Sequence, residues 1–373
     1  MTSETVVVGA GPAGLAVAGS LAAQGLEVTV LERAESVGAA WRGRYDSLRL
    51  HTARWLSGLP DAPIPRGYGR WVARDDLVAY LEDYARRFAI EPQLGVEVTE
   101  VVRTGDRWSV RTTVGDHPAR AVVLATGVSG TPFLPDWPGR DTFPGPLSHS
   151  AAYREPSPYR GRRVLVVGAG NSATEIASEL TGVAAAVELS VRTPPNIVRR
   201  DTLGVPSQLI GVALRRAPEV VMNPLSGLLR RLTVPDLTAY GLPAPPGDGY
   251  TQFLRSKTVP ILDHGFVDAV RGGRIAVVPA VARIDGPEVS LVDGTVLRPD
   301  AIIAATGYRP DLHRLLGDLP VLDATGYPLV HGARTAPAAP DLYFVGLTIE
   351  LSGLLREIGR EAREVARRIA ADP

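Results

Sequence analysis

The sequence has no cysteine, which excludes disulfide bonds, thiolate metal ligands and a dithiol active site. It also has no excess of charge, since 40 basic residues balance 40 acidic ones. No overall electrostatic field therefore draws the chain to nucleic acid or to an anionic membrane. The longest apolar segment, residues 6–31, is interrupted by glycines and by Pro12, which argues against a membrane helix. Any catalytic chemistry has to come from other groups.

The N-terminus has no basic region followed by an apolar stretch and a cleavage site, so a cytoplasmic location is expected. We expect a small-molecule substrate and no nucleic-acid, membrane or metal partner. A length of 373 residues suits two domains of roughly 100 to 200 residues each. The oligomeric state stays open, and a homodimer is compatible with the sequence.

A strand, a glycine-rich turn, a helix and a second strand occur in the same order twice. This pattern predicts two βαβ units of an α/β protein. The predicted strands are 6–8, 27–31, 163–167 and 186–191, and the predicted helices between them are 15–24 and 174–180. An amphipathic helix is predicted over 75–88, another helix over 356–370, and further strands over 96–102, 108–113, 121–125 and 300–305.

Gly9, Gly11 and Gly14 have the spacing G-x-G-x-x-G between a predicted strand and a predicted helix. This spacing places backbone amides and a helix N-terminus against a pyrophosphate. Glu32 ends the following strand, where a carboxylate accepts hydrogen bonds from ribose hydroxyls. The turn therefore predicts a dinucleotide site, although a purely structural glycine turn has the same spacing.

Gly168, Gly170 and Ala173 form the second fingerprint. Arg192 is predicted to stand where the first unit has Glu32, and Arg199 follows shortly after. A guanidinium there binds a 2′-phosphate, whereas a carboxylate repels it, so this half is expected to prefer NADPH to NADH. The alternative interpretation is that these arginines are solvated loop charges.

Two nucleotide sites in one chain indicate hydride transfer from a nicotinamide to a flavin, and so FAD and NADPH are the expected cofactors. An Ala-Thr-Gly sequence begins at the last residue of each of the strands 121–125 and 300–305. We expect two Rossmann-like domains, with the FAD domain in two pieces, 1–155 and 297–373. The NADPH domain, 156–296, is inserted between them.

These features occur together with several longer segments, which jointly resemble the flavin-containing monooxygenase superfamily, the class B flavoprotein monooxygenases. The resemblance is to YUCCA-type indole-3-pyruvate monooxygenases and their bacterial relatives. It implies an enzyme that uses NADPH, FAD and molecular oxygen to oxygenate a small organic substrate through a flavin hydroperoxide. The segments are 9–15, 41, 44–52, 80–84, 164–172, 258–265 and 305–308, and the linker 143–149 with His149 and Tyr153 resembles a signature shared with Baeyer–Villiger enzymes.

The resemblance also implies roles for individual residues. His51 and Thr52 fall in the segment that faces the flavin, where many relatives have asparagine, and Asn171 and Lys257 match residues near the nicotinamide. These four are the candidate catalytic residues. Further cofactor-binding residues that it implies are Pro12, Ala13, Arg33, Trp41, Thr126, Gly127, Ser172, Ala305, Thr306, Gly307 and Gly346.

Two other functions stay open. An NADPH-dependent flavin oxidase or reductase has the same two-nucleotide architecture, and stoichiometric peroxide formation would favour it. A non-catalytic flavin-binding module would bind FAD without being reduced by NADPH. The sequence does not identify the substrate.

Overall fold

A computed structural model describes residues 4–202, 204–214, 224, 227–228, 234–245, 259–348 and 350–371. The chain divides into two compact units. Unit 1 consists of Met1–Gly43, Ser47–Thr131 and Tyr308–Pro373, and unit 2 consists of Arg44–Asp46 and Pro132–Gly307. The divisions differ from the expected boundaries at 155/156 and 296/297.

The α-helices of the described residues are, in chain order, α1 (Pro12–Ala22), α2 (Ala39–Arg42), α3 (Arg74–Arg87), α4 (Asn171–Leu180), α5 (Ser207–Leu214), α6 (Phe266–Arg271), α7 (Leu312–Leu316) and α8 (Leu354–Ala371). Within this part of the chain, no helix combines the length and the apolar character that crossing a membrane requires.

The strands of the first half of the chain are β1 (Thr5–Val8), β2 (Val28–Leu31), β3 (Val98–Thr104), β4 (Arg107–Thr112), β5 (Gly115–Ala119), β6 (Ala121–Leu124), β7 (Thr131–Pro132), β8 (Leu147–His149), β9 (Arg163–Val167) and β10 (Ala186–Ser190). They are followed by β11 (Ile197–Arg199), β12 (Asp201–Thr202), β13 (Val205–Pro206), β14 (Ile261–Asp263), β15 (Ala276–Val278), β16 (Val281–Asp285), β17 (Glu288–Leu291), β18 (Val296–Leu297), β19 (Ala301–Ala304), β20 (Tyr308–Arg309) and β21 (Leu342–Phe344).

Unit 1 is built on a parallel sheet with the strand order β2-β1-β6-β21. Every residue of β1 and β6 is buried, as expected for strands covered on both faces. One face packs against helices α1, α3 and α8. The other packs against α7 and the antiparallel sheet β3-β4-β5, whose central side chain is the fully buried Trp108.

Unit 2 is built on a parallel sheet with the strand order β15-β10-β9-β19-β8. A small antiparallel sheet, β16-β17-β18, packs on one face around Trp137 and Ile284. The apolar side of α4 is buried, with Ile176 and Ala177 at its centre. Because β19 pairs with β9, the strand expected at the start of the second FAD segment belongs to unit 2 instead.

Both predicted βαβ units are present, and both of their helices begin earlier than predicted. Helix α1 begins at Pro12 rather than at residue 15, because proline suits the first helical position, where its missing N–H has no partner in any case. Helix α4 likewise begins at Asn171 rather than at residue 174. The third residue of each fingerprint therefore lies inside the helix.

The carboxyl group of Glu361 is buried in α8, with a residue exposure of 4%. Its Oε2 accepts a hydrogen bond from the Gly346 N–H at 3.0 Å. Burial raises the pKa of Glu361 to about 7, although the Gly346 hydrogen bond and the nearby Arg360 oppose the rise. Glu357 and Glu364 on the same helix raise it further.

Replacing Glu361 with Gln should stabilise the protein at alkaline pH. A carboxyl whose folded pKa lies above its ordinary value binds a proton more tightly in the folded state, so its contribution to stability falls as pH rises from about 4.5 to 7. Glu361→Gln keeps the acceptor for Gly346 and removes this loss. We expect it to exceed the wild type by about 1 to 3 kcal/mol at pH 8 and to match it at pH 4.5, as measured by thermal unfolding. Parallel pH profiles of the two proteins would contradict this assignment.

Candidate functional site

The turn after β1 depends on the absence of a side chain at Gly9. Its φ is +109°, and a Cβ there would lie 2.7 Å from the carbonyl oxygen of Ala125. A Cβ on Gly14 would lie 1.8 Å from the Gly9 carbonyl oxygen. These two glycines bring the strand, the helix and the neighbouring strand into close contact.

Gly11 has a different role, because a Cβ built on it would meet no atom within 4 Å. Its φ of −81° and ψ of −172° suit any residue. It forms the N-cap of α1, where the first N–H groups of a helix have no acceptor within the helix. The open space beside these donors is where a dinucleotide site would hold its diphosphate.

Glu32 follows β2 and holds the turn in place. Its Oε2 accepts a hydrogen bond from the Ala10 N–H at 2.8 Å, and its Oε1 accepts one from the Ala34 N–H at 2.9 Å. Each carboxylate oxygen keeps a second lone pair for a ribose hydroxyl. Glu32 is therefore both a support of the glycine turn and a candidate ribose acceptor.

The remaining candidates of unit 1 come from several segments of the chain. Thr126 and Gly127 follow β6, and Gly346 follows β21. Because these strands are parallel to β1, the three residues lie at the same end of the sheet as Gly9. A Cβ on Gly346 would lie 2.8 Å from the Ala13 Cβ. Two further candidates are the exposed Arg33 and the half-buried Trp41.

His51 and Thr52 are half-buried in a loop of unit 1. Ser57 Oγ donates to the Ala53 carbonyl at 2.9 Å, so Thr52 Oγ1, at 2.7 Å, is the donor to Ser57. The Thr52 oxygen is left with lone pairs that accept. Catalytic roles for His51 and Thr52 stay predictions.

The turn after β9 repeats the geometry of the first. Gly168 has a φ of +138°, and a Cβ there would lie 2.3 Å from the Ala305 carbonyl oxygen. Gly170, the N-cap of α4, again faces open space, with no atom within 4 Å of a Cβ. Ala173 is fully buried at the third fingerprint position.

The side chains of Asn171 and Ser172 bind protein atoms. The Asn171 Oδ1 accepts from the Leu262 N–H at 2.8 Å, and its Nδ2 donates to the Pro260 carbonyl at 3.3 Å. The Ser172 hydroxyl hydrogen-bonds the phenol of Tyr45. Asn171 thus anchors the segment that follows Lys257, which itself lies outside the described residues.

The hydrogen-bonded register corrects the expected position of Arg192. The Gly9 N–H donates to Leu31, and the Gly168 N–H donates to Ser190. The residue equivalent to Glu32 is therefore Val191, and Arg192 follows it. No carboxylate stands at this position in unit 2, and Arg192 and Arg199 are both exposed.

The second Ala-Thr-Gly segment lies at the carboxyl end of β19. There the carbonyl of Ala305 packs on the Gly168 turn. Thr306 Oγ1 donates to the Phe133 carbonyl. The Gly307 carbonyl accepts from the Phe133 N–H at 3.0 Å. Together these bonds fix the segment immediately before the chain returns to unit 1 at Tyr308.

His149, the last residue of the neighbouring strand β8, binds this segment by a hydrogen bond. Its Nδ1 accepts from the Ala151 N–H at 3.0 Å, so the proton is on Nε2, which donates to the Gly307 carbonyl at 2.9 Å. Burial lowers the pKa of His149, although the Gly307 hydrogen bond opposes the change. The ring of the linker histidine thus binds the backbone at Gly307, and a role for it in coupling the cofactor domains stays a prediction beside a packing role.

Sequence reasoning missed one pair of residues near the second fingerprint. The Tyr45 hydroxyl donates to Glu175 Oε2 at 2.5 Å across 130 positions of sequence. Tyr45 lies in the segment 44–52, which carries part of the family resemblance, and Glu175 lies four residues after Asn171. No spacing rule connects the two residues.

The sequence and the fold of this chain resemble those of known proteins. The family model described as pyridine nucleotide-disulphide oxidoreductase matches residues 6–204. A probable indole-3-pyruvate monooxygenase of Arabidopsis thaliana, YUCCA9, is 32% identical over 97% of this chain and 90% of its own length. The indole-3-pyruvate monooxygenase YUCCA1 of Oryza sativa subsp. japonica is 36% identical over 84% of this chain and 78% of its own.

Among solved structures, a flavin-containing monooxygenase from Stenotrophomonas maltophilia superposes with a TM-score of 0.75 at 28% identity. The match covers 99% of this chain and 98% of that one. The expected α/β fold with two Rossmann-like domains is confirmed. The chain is an enzyme that belongs to the flavin-containing monooxygenase superfamily, the class B flavoprotein monooxygenases, whose cofactors are FAD and NADPH.

Proposed function

We propose that this enzyme is a single-component monooxygenase that consumes NADPH, binds FAD in unit 1 and NADPH in unit 2, and oxygenates a small organic substrate. The observation that carries the proposal is the repeated turn. Gly11 and Gly170 each face open space at a helix N-cap, beside a glycine packed on the carbonyl of an Ala-Thr-Gly segment.

The residues at the ends of the second strands support the assignment of the two cofactors. Glu32 in unit 1 accepts hydrogen bonds but repels a phosphate, which suits the ribose of FAD. In unit 2 the equivalent Val191 has no charge, and the exposed Arg192 beside it attracts a 2′-phosphate. The second Ala-Thr-Gly segment, 305–307, accordingly belongs to the NADPH site.

The bound cofactors supply hydride transfer and the activation of oxygen, and the protein supplies binding, orientation and exclusion of water. The backbone donors of α1 and α4 would hold the two diphosphates. Asn171 keeps the 260–262 backbone in place beside the N-terminus of α4. A cytoplasmic location and a homodimer stay predictions.

The first substrate candidates are aromatic 2-oxo acids. Two relatives that match most of the chain are named indole-3-pyruvate monooxygenases. Thioethers and amines, which react as nucleophiles, form the second group of candidates.

Valine substitutions should separate the two cofactor sites. Gly11→Val should fold, because its backbone suits valine and its Cβ meets no protein atom, but it should reduce FAD occupancy at least about tenfold by a clash with the diphosphate. Gly170→Val should retain FAD and lose NADP⁺ binding. Flavin absorbance and calorimetric titration with NADP⁺ measure the two effects.

Gly14→Val is the matched control, since its Cβ would collide with the Gly9 carbonyl and prevent folding even without cofactor. A Gly11→Val protein with full flavin occupancy would refute the assignment of unit 1. A Gly170→Val protein that binds NADP⁺ normally would refute that of unit 2.

Replacing Arg192 with Ala should erode the preference for NADPH over NADH. Loss of a charge-assisted contact costs about 1.5 to 3 kcal/mol, reduced at an exposed site, so we expect the NADPH KM to rise about five- to tenfold. The NADH KM should stay within about twofold. Arg283→Ala removes an exposed arginine paired with Asp285 and should change neither value. An unchanged NADPH-to-NADH ratio in Arg192→Ala would contradict the role of Arg192.

A true substrate should suppress release of hydrogen peroxide while NADPH is consumed. The measurement records NADPH oxidation and peroxide together in the presence of indolic 2-oxo acids, thioethers or amines. The proposal predicts that one group lowers the peroxide formed per NADPH well below one. A ratio of one with every candidate would favour the NADPH oxidase alternative.

A further inference from the structure

Tyr45 belongs to the short segment Arg44–Asp46, which is part of unit 2 although residues of unit 1 flank it in sequence. It has an exposure of 4%. Its hydroxyl donates to Glu175 Oε2 at 2.5 Å and accepts from the Ser172 hydroxyl. The phenol therefore joins the first turn of α4 to the second.

The hydroxyl of Tyr45 stays protonated over the physiological range. Burial raises the pKa of Tyr45 far above its ordinary value, and the charge of Glu175 raises it further. The other oxygen of Glu175 lies 3.6 Å from His264 Nε2. The Glu175 carboxylate thus has a phenol donor on one oxygen and an imidazole near the other.

Glu175 is an unexpected residue so close to a dinucleotide site. It lies about one turn from the N-terminus of α4, where the helix dipole and the first N–H groups attract negative charge. A diphosphate is attracted to the same end. Two anions that compete for one helix terminus weaken each other's binding.

We propose that Tyr45 is a positioning residue for the dinucleotide of unit 2. Its phenol holds the Glu175 carboxylate by a hydrogen bond, which leaves the N-terminus of α4 available to the diphosphate of NADPH. This inference rests on the proposed function, because it requires that unit 2 binds NADPH.

The same helix contains a matched control. The Tyr153 hydroxyl donates to Glu179 Oε2 at 3.0 Å, and Glu179 lies one turn further from the N-terminus than Glu175. Tyr153 is as buried as Tyr45, at 1% exposure. A purely structural role predicts similar consequences when either hydroxyl is removed, whereas competition at the helix terminus predicts a difference.

The test titrates NADP⁺ calorimetrically into the full-length, FAD-loaded protein and four variants: Tyr45→Phe, Tyr153→Phe, Glu175→Gln and the double variant Tyr45→Phe/Glu175→Gln. Tyr45→Phe should raise the NADP⁺ Kd about tenfold, which corresponds to the loss of one hydrogen bond to a charged group. Tyr153→Phe should stay within about twofold of the wild type. The double variant should return to within about twofold of Glu175→Gln, because no charge is left to compete.

Equal losses of affinity in Tyr45→Phe and Tyr153→Phe would overturn the inference, as would a double variant that binds as weakly as Tyr45→Phe. FAD occupancy and the thermal midpoint, measured for every variant, separate these outcomes from loss of folding. Wild-type protein that binds FAD but not NADP⁺ would overturn the proposed function together with this inference, whereas the variant results overturn the inference alone.

Discussion

A carbonyl oxygen that leaves no room for a side chain determines the geometry of both units. Gly9 packs on the Ala125 carbonyl and Gly168 on the Ala305 carbonyl, each with a positive φ that other residues rarely adopt. In both units this contact joins two neighbouring parallel strands where they end. The open helix N-terminus beside each turn follows from it, since the chain reaches the helix only through that turn.

The sequence predicted this local geometry well, because it depends on neighbouring residues. The fingerprint spacing, the apolar strands and the two Ala-Thr-Gly segments are all visible without a structure. The partner of β19 is not visible in this way. The sequence of an apolar strand does not identify the strand beside it, so order along the chain alone predicts that 300–305 belongs to the FAD domain. Its hydrogen bonds with β9 place it in unit 2 instead.

The contacts and positions of individual side chains were harder to predict than the backbone geometry. The family resemblance implies cofactor-binding roles for Asn171 and Ser172, and residue type predicts one for Arg192. The side chains of Asn171 and Ser172 bind protein atoms, and Arg192 is offset by one residue from the equivalent of Glu32. The roles of all three toward a cofactor stay predictions. A single-residue offset depends on the hydrogen-bonded register, which strand periodicity locates only approximately. The Tyr45–Glu175 pair was missed because 130 residues separate its members.

These side-chain contacts suit a division of cofactor binding between the backbone and the side chains. In unit 2 the polar side chains nearest the turn, Asn171, Ser172 and Thr306, hold neighbouring segments in fixed positions. Under the proposed function, direct contact with the diphosphate would be left to backbone N–H groups that the fold already orders. Discrimination between NADPH and NADH would depend on exposed side chains such as Arg192, which substitution can change without disturbing the turn. Packing would then determine the geometry of the turn, and the surface beside it would determine the choice of dinucleotide.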